Sequence, residues 1–84
     1  MRVVFADHAW DDYLYWQATD KKILRRINAL IKASFRDPSM GTGKPEPLRH
    51  QWSGYWSRRI TQEHRLVYKV EGDAILIAQC RRHY

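Results

Sequence analysis

The sequence predicts an α+β fold: an antiparallel twisted sheet, built from an N-terminal strand and a C-terminal meander, with an αα-hairpin packed on one face. Three observations predict it. A β-branched run, Arg2-Val3-Val4-Phe5-Ala6, opens the chain. Two adjacent stretches then repeat their apolar residues with the helical period, parted at Asp20. Beyond residue 54 the apolar residues alternate with the strand period, punctuated by turn-forming clusters. At 84 residues the chain has room for one hydrophobic core, so residues 1–84 read as a single domain.

Each element has its own reason. Arg2 to Ala6 is a short strand, and Asp7 offers an N-cap to the helix behind it. In that helix Trp10, Tyr13 and Leu14 share a face, Asp11 and Asp12 turn away, and Thr19 is the expected stop. Asp20 caps a second helix. There Ile23, Ile27, Leu30 and Ile31 form an apolar stripe, opposite Lys21, Lys22, Arg25, Arg26 and Lys32. The short join makes the two helices a hairpin.

From Asp37 to Pro47, three prolines and two glycines predict an irregular loop. Leu48 to Gln51 is expected as a short strand and Tyr55 to Thr61 as a longer one, with a turn at Ser53-Gly54 between them. Arg65 to Val70 and Ala74 to Cys80 complete the meander. Strand alternation puts Leu66, Tyr68 and Val70, with Leu76, Ala78 and Cys80, under the helices. It leaves Arg65, Gln79, Arg81 and His83 on the other face, with Arg59 near them.

Composition narrows the function. Apolar residues make up 44% and aromatics 13%, which suits a globular protein and excludes intrinsic disorder. No basic n-region, apolar run and small-residue cleavage site opens the chain, and no apolar stretch spans a bilayer, so neither export nor a membrane partner is expected. The single cysteine, Cys80, forms no internal disulfide and fits a reducing cytoplasm. The net charge is +6. Residues 44–84 carry a net +4 of it and three of the four histidines, so a polyanion would settle on that half.

The chain ends Arg81-Arg82-His83-Tyr84: an apolar strand runs straight into groups able to move a proton, neutralise a phosphate and stack on a base. A ribonuclease working without metal needs a base for the 2′-OH, an acid for the leaving 5′-oxygen and cations around the transition state. Glutamate and histidine, with ordinary pKa values of roughly 4.3 and 6.5, suit the first two roles. Glu46 is the candidate base, because Pro45 and Pro47 stiffen the backbone that carries it. His83 is the candidate acid. Arg65 is the candidate clamp on the phosphate, or else a surface arginine paired with Glu63. Lys44, Arg49, Arg58, Arg59, Arg81 and Arg82 are candidate backbone-positioning cations, some of them ordinary surface charges. Tyr84, Tyr55 and Trp56 are candidate stacking groups, while Trp52 and Trp56 equally suit a core or a dimer interface. The four scattered histidines and lone cysteine fit no zinc spacing, and no phosphate-binding Gly-rich loop is present, so neither metal nor cofactor is expected.

Five segments together resemble the YoeB-type toxins of the RelE/ParE toxin–antitoxin superfamily. They are Trp10-Asp11-Asp12-Tyr13-Leu14-Tyr15-Trp16, Gly43-Lys44-Pro45-Glu46-Pro47-Leu48, Gly54-Tyr55-Trp56-Ser57-Arg58-Arg59-Ile60, His64-Arg65-Leu66-Val67-Tyr68 and Cys80-Arg81-Arg82-His83-Tyr84. The resemblance spans essentially the whole chain and implies the RelE/ParE-like microbial ribonuclease fold. It also implies a ribosome-dependent endoribonuclease of the bacterial cytoplasm that cuts mRNA in the ribosomal A site without metal. Such an enzyme leaves a 2′,3′-cyclic phosphate and a 5′-hydroxyl and inhibits translation. Glu46 would then be the general base, Arg65 the transition-state cation and His83 the general acid. Tyr84 would help position RNA, Glu63 would orient its neighbours, and Lys44, Arg49 and Arg59 would hold the RNA backbone. The implied partners are mRNA, the small-subunit rRNA of the ribosome, a cognate antitoxin with an acidic C-terminal segment, and a second copy of the chain in a homodimer. Two positions depart from the family pattern: Arg49 stands where lysine is usual and Arg82 where an aromatic is usual. A ParE-like gyrase poison on the same fold, or a non-catalytic nucleic-acid-binding module, is the alternative.

Overall fold

A computed structural model describes residues 1–83; Tyr84, expected to position RNA, lies outside the described residues. The elements run β1 (Arg2–Phe5), α1 (Asp7–Thr19), α2 (Lys21–Arg36), β2 (Glu46–Pro47), β3 (Trp56–Arg59), β4 (Arg65–Glu71) and β5 (Ala74–Gln79), with a 3₁₀ turn at His50–Trp52. The strands form one five-stranded sheet in the order β1-β5-β4-β3-β2. The meander is antiparallel as expected, but β1 pairs with β5 in parallel, so the sheet is mixed. The reason is α1. β1 hands the chain to this helix at Ala6, whose N–H donates to Ile77 O at 2.9 Å, and the same helix receives the end of β5 at Cys80. Both strands therefore run toward the same end of the sheet. No helix among the described residues is long and apolar enough to cross a membrane.

Helix α1 departs from its expected face. Its N-cap is Ala6 without a side-chain bond, and Asp7 sits inside the first turn, where its charge suits the helix dipole. Ala9, Asp12 and Trp16 are buried, whereas Trp10 and Leu14 are 46% and 40% exposed. Small Ala9 admits Cys80 against the helix, with Cys80 Sγ–H donating to Ala9 O at 3.6 Å. Asp12, expected to face away, accepts the Cys80 N–H at 3.1 Å. Trp10 and Tyr13 instead gather around Phe5, with ring centroids 5.5 and 5.1 Å from it.

Helix α2 follows its pattern. Asp20 accepts from Lys22 N at 3.0 Å and Ile23 N at 3.1 Å, and Ile27, Leu30 and Ile31 are buried. They pack on Leu66, Tyr68, Ile75 and Ile77 of the sheet. Strand β5 holds a correction. Leu76 and Ala78 were expected under the helices with Cys80; the buried core residues are Ile75, Ile77 and Cys80. Tyr68 pairs with Ile77 and Val67 with Gln79, so Ala78 is an extra, bulged residue. A bulge of one residue flips the alternation beyond it.

The 37–47 loop ends in an unexpected strand. Glu46 and Pro47 pair with Ser57 and Trp56 as the outer strand of the sheet, a place where the missing proline N–H costs no ladder bond. His50, at φ 58°, then turns the chain into the 3₁₀ turn where a strand over Leu48 to Gln51 was expected. The loop is held from inside by Arg58. Its guanidinium donates to Tyr68 Oη, Thr42 O, Asp37 O and Met40 O at 2.6–2.9 Å, and the residue is fully buried. Arg58 is therefore no RNA-facing cation. Gly43 closes the loop at φ 86°, and a Cβ there would lie 3.1 Å from both Arg58 Cβ and Leu30 Cδ2.

Candidate active site

Strand register collects Glu46, Arg59 and Arg65 on the sheet face turned away from the helices. Glu46 stands opposite Ser57, Ser57 opposite Val67, and Val67 opposite Gln79, which makes one row across the sheet. Two residues further along β3 and back along β4, Arg59 stands opposite Arg65 on that same face. Lys44 lies beside this second row, because the Arg59 N–H donates to Gly43 O at 2.7 Å. Gly43 and Lys44 both adopt left-handed backbone, at φ 86° and 52°, and so swing the loop into the stiff Pro45-Glu46-Pro47 segment.

Arg65 is partly immobilised. Its Nη1 lies 2.9–3.2 Å from the carbonyl oxygens of Thr61, Gln62 and His64, all in the turn before β4. It does not pair with Glu63, the alternative that its spacing left open. One edge of the guanidinium is thus fixed by backbone, while Nε and Nη2 have no partner among the described residues. That edge can grip two phosphate oxygens.

The C-terminal tail is tied down bond by bond. Trp16 Nε1 donates to Cys80 O at 2.9 Å, and Asp12 takes the Cys80 N–H. Arg81, expected on the face away from the helices, instead lays its guanidinium 3.5 Å from the Tyr15 ring centroid on α1. The β5 bulge and the strand's end at Gln79 redirect it. Arg82, at φ 65°, donates its N–H to His64 Nδ1 at 2.7 Å, and its carbonyl accepts the Arg65 N–H at 3.0 Å. That carbonyl belongs to the peptide bond joining Arg82 to His83. The backbone of Arg65 therefore fixes the root of His83.

The candidates occupy two hollows. Glu46 and Arg49 share one with Trp52 at the β2 side. His83, expected on the face away from the helices, instead shares the other with Tyr15, Trp16 and Ile23 of the two helices and with Glu63, His64 and Arg82, because the tail turns back at Arg82. Among the described residues no hydrogen bond or ion pair joins Glu46, Arg65 and His83 directly. In sheet order Glu46 comes from β2 and His83 follows β5, with Arg59 on β3 and Arg65 on β4 between them. Glu46 thus lies two strands from Arg65 across the sheet, while His83 is rooted beside Arg65 through the Arg82 backbone. Among the described residues no group of three or more His, Cys, Asp or Glu side chains could hold a metal ion.

Cys80 takes no part in that layout. Burial, and secondarily the Asp12 carboxylate, push its thiol up to about 12. The roles of four residues that organise the candidate site escaped the sequence reading: Asp12, Trp16, His64 and, as a structural clasp, Arg58. Arg58 could have been found, since it alternates with Trp56 and Ile60 and so points inward. Asp12 and His64 carry no such local signal, because their partners lie 68 and 18 residues away.

The same architecture recurs in known toxins. A YoeB/ParE toxin from Agrobacterium tumefaciens superposes with a TM-score of 0.95 at 50% identity, covering 100% of both chains. The YoeB of Staphylococcus aureus, solved in a heterotetrameric complex with YefM, gives 0.93 at 46% identity over 100% of this chain and 98% of that one; it has also been solved as a dimer. Toxin YoeB of Escherichia coli (strain K12) is 61% identical over 84 residues, covering 100% of both chains. Residues 5–84 match the family model of the YoeB-like toxins of bacterial type II toxin–antitoxin systems, and the chain belongs to that family.

Proposed function

We propose that the chain is a ribosome-dependent endoribonuclease that cuts mRNA in the A site and so stops translation. Glu46 takes the proton of the 2′-hydroxyl as the 2′-oxygen bonds to the adjacent phosphorus. The P–O5′ bond breaks, and the His83 imidazolium protonates the departing 5′-oxygen. The products are a 2′,3′-cyclic phosphate and a 5′-hydroxyl. Arg65 faces the charge that builds on the equatorial oxygens, and Arg59, Lys44 and Arg49 hold the flanking RNA backbone. Glu63, 3.8 Å from His64 Nε2, orients that ring; Arg81, stacked on Tyr15, braces the strand that leads to His83. Tyr84 completes the tail as a stacking group. In this scheme the side chains supply base, acid and cation, and no cofactor enters.

The observation that carries the reading is the convergence on Arg65: Arg59 stands opposite it, Glu46 lies on the same sheet face two strands away, and His83 is rooted on its backbone. In this reading, as the family resemblance implies, the decoding site and its rRNA supply the bend that brings the 2′-oxygen in line. The reading includes a cytoplasmic single-domain protein that pairs with a second copy. It also includes an antitoxin whose acidic C-terminal segment covers the basic face, since S. aureus YoeB has been solved with YefM and as a dimer.

Glu46→Gln and His83→Gln test it. Each should slow cleavage by about 10²–10⁴-fold, the usual worth of a general acid or base, while binding to A-site-programmed ribosomes stays near wild type. If both variants still cut at the wild-type rate, acid–base catalysis by this pair is wrong and the basic face is a binding surface.

A further inference from the structure

We propose that His64 is a positioning residue for the reaction: its imidazole, carrying the proton on Nε2, holds Arg82 and thereby aims His83. The inference rests on the nuclease reading above. Arg82 is tied by both of its backbone polar groups, N–H to His64 Nδ1 at 2.7 Å and carbonyl to Arg65 N–H at 3.0 Å. Two adjacent residues, His64 in the turn before β4 and Arg65 at its start, thus grip one residue of the tail. On one side of this grip a side-chain nitrogen does the work of a backbone carbonyl.

The substitution has a geometric cause. Beyond Gln79 the regular ladder has ended, and Arg82 adopts left-handed backbone at φ 65°, which non-glycine residues rarely keep without outside bonds. A carbonyl in the ladder no longer reaches its N–H; an imidazole on a longer arm does. The ring is itself held. Its side chain is 13% exposed, and Trp16 meets it edge-on, with centroids 4.8 Å apart at 79°. The same Trp16 donates to Cys80 O two residues upstream of Arg82, so one indole positions both the ring and the strand end. The His64 N–H donates to Thr61 Oγ1 at 3.1 Å, which fixes the turn from which the ring projects.

The tautomer follows from the donor. Because an amide N–H points at Nδ1, that atom must keep its lone pair, and the neutral ring carries its proton on Nε2. The Glu63 carboxylate, 3.8 Å from Nε2, favours that arrangement electrostatically. His64 thus couples the clamp to the acid: Arg65 follows it in the chain, and His83 follows the residue it holds.

Asparagine and glutamine separate the two ends of the ring. Asparagine places Oδ1 where Nδ1 stands; glutamine fills the space beside Trp16 but carries its polar atoms at the Nε2 end. Single-turnover mRNA cleavage on A-site-programmed ribosomes should fall about tenfold or more in His64→Gln, the loss expected of one misplaced hydrogen bond at a reacting group. The concentration of toxin giving half-maximal rate should change by less than about twofold, because the lost bond aims the acid and touches no RNA. His64→Asn should recover to within about threefold of wild type. Equal rates for His64→Gln and wild type, or no recovery with asparagine, overturn the proposal while leaving the nuclease intact. Failure of the wild type to cut overturns both readings. One measurement needs no variant: nitrogen-15 spectra of the wild-type protein should show His64 protonated on Nε2 and the Arg82 amide protected from exchange. A ring protonated on Nδ1, or a freely exchanging Arg82 amide, refutes the role even if every substitution unfolds.

Discussion

Cys80 and the residues around it show how single atoms set the site. Its thiol touches Ala9, its N–H meets Asp12, and its carbonyl takes the Trp16 indole, so one residue fastens the end of β5 to α1. Burial keeps the thiol protonated up to about 12, so thiol reagents at neutral pH should modify the folded protein far more slowly than the unfolded chain. Stability is linked in the same direction. The unfolded chain gives up the proton near the ordinary value of 9.0 and the folded chain holds it, so stability falls as pH rises from about 9 toward 12. Between pH 8 and 10 this amounts to about 1 kcal/mol. Urea unfolding of wild type against Cys80→Ala at both pH values measures it, and an equal alkaline loss in the two proteins would refute it. In the sequence Cys80 already read as a small core residue at a strand end. Its anchors did not, because Asp12 looks like solvent-facing charge until the distant amide that needs it is known.

Among the elements, the loop between α2 and β2 depends on one buried cation. Arg58 satisfies three loop carbonyls and the Tyr68 hydroxyl, and Tyr68 Oη in turn donates to Pro38 O. Arg58→Ala leaves those acceptors buried and unpaired and should cost about 3 kcal/mol in urea unfolding, with an unchanged m-value. The Asp20 cap is worth about 1 kcal/mol by the same assay, read through Asp20→Ala. Arg58 also places Glu46, since the loop it clasps leads straight into Pro45-Glu46-Pro47; a folded Arg58 variant should therefore lose cleavage more than ribosome binding. The helix pair and the meander were legible from periodicity and from turn residues, and so was the stiffness around Glu46. The bulge at Ala78 was not legible: it exists because the end of β5 must serve α1 and β4 together, a requirement no local pattern carries. The parallel setting of β1 was hidden for a similar reason, since it follows from both strands meeting one helix.

For the molecule as a whole, charge and topology act together. The basic second half supplies the sheet face on which Arg59 and Arg65 stand, and an RNA held there displaces counterions, so ribosome and RNA affinity should fall steeply with salt. Removing His83 and Tyr84 should abolish cutting with little change in the unfolding midpoint, because the core of the described residues ends at Cys80. Unfolding on truncation would make the tail structural instead. The residue types of the candidate site were named from the sequence, in the proline-flanked glutamate and the terminal histidine. Their layout needed the sheet order, which sets Glu46 two strands from Arg65, and the His64 bond that turns the tail toward Arg65. The most direct measurement maps the RNA ends produced by chelator-treated protein on A-site-programmed ribosomes, beside naked mRNA. Cuts within the A-site codon bearing 2′,3′-cyclic phosphate and 5′-hydroxyl ends are the predicted result; intact mRNA on ribosomes carrying the folded protein would contradict the account.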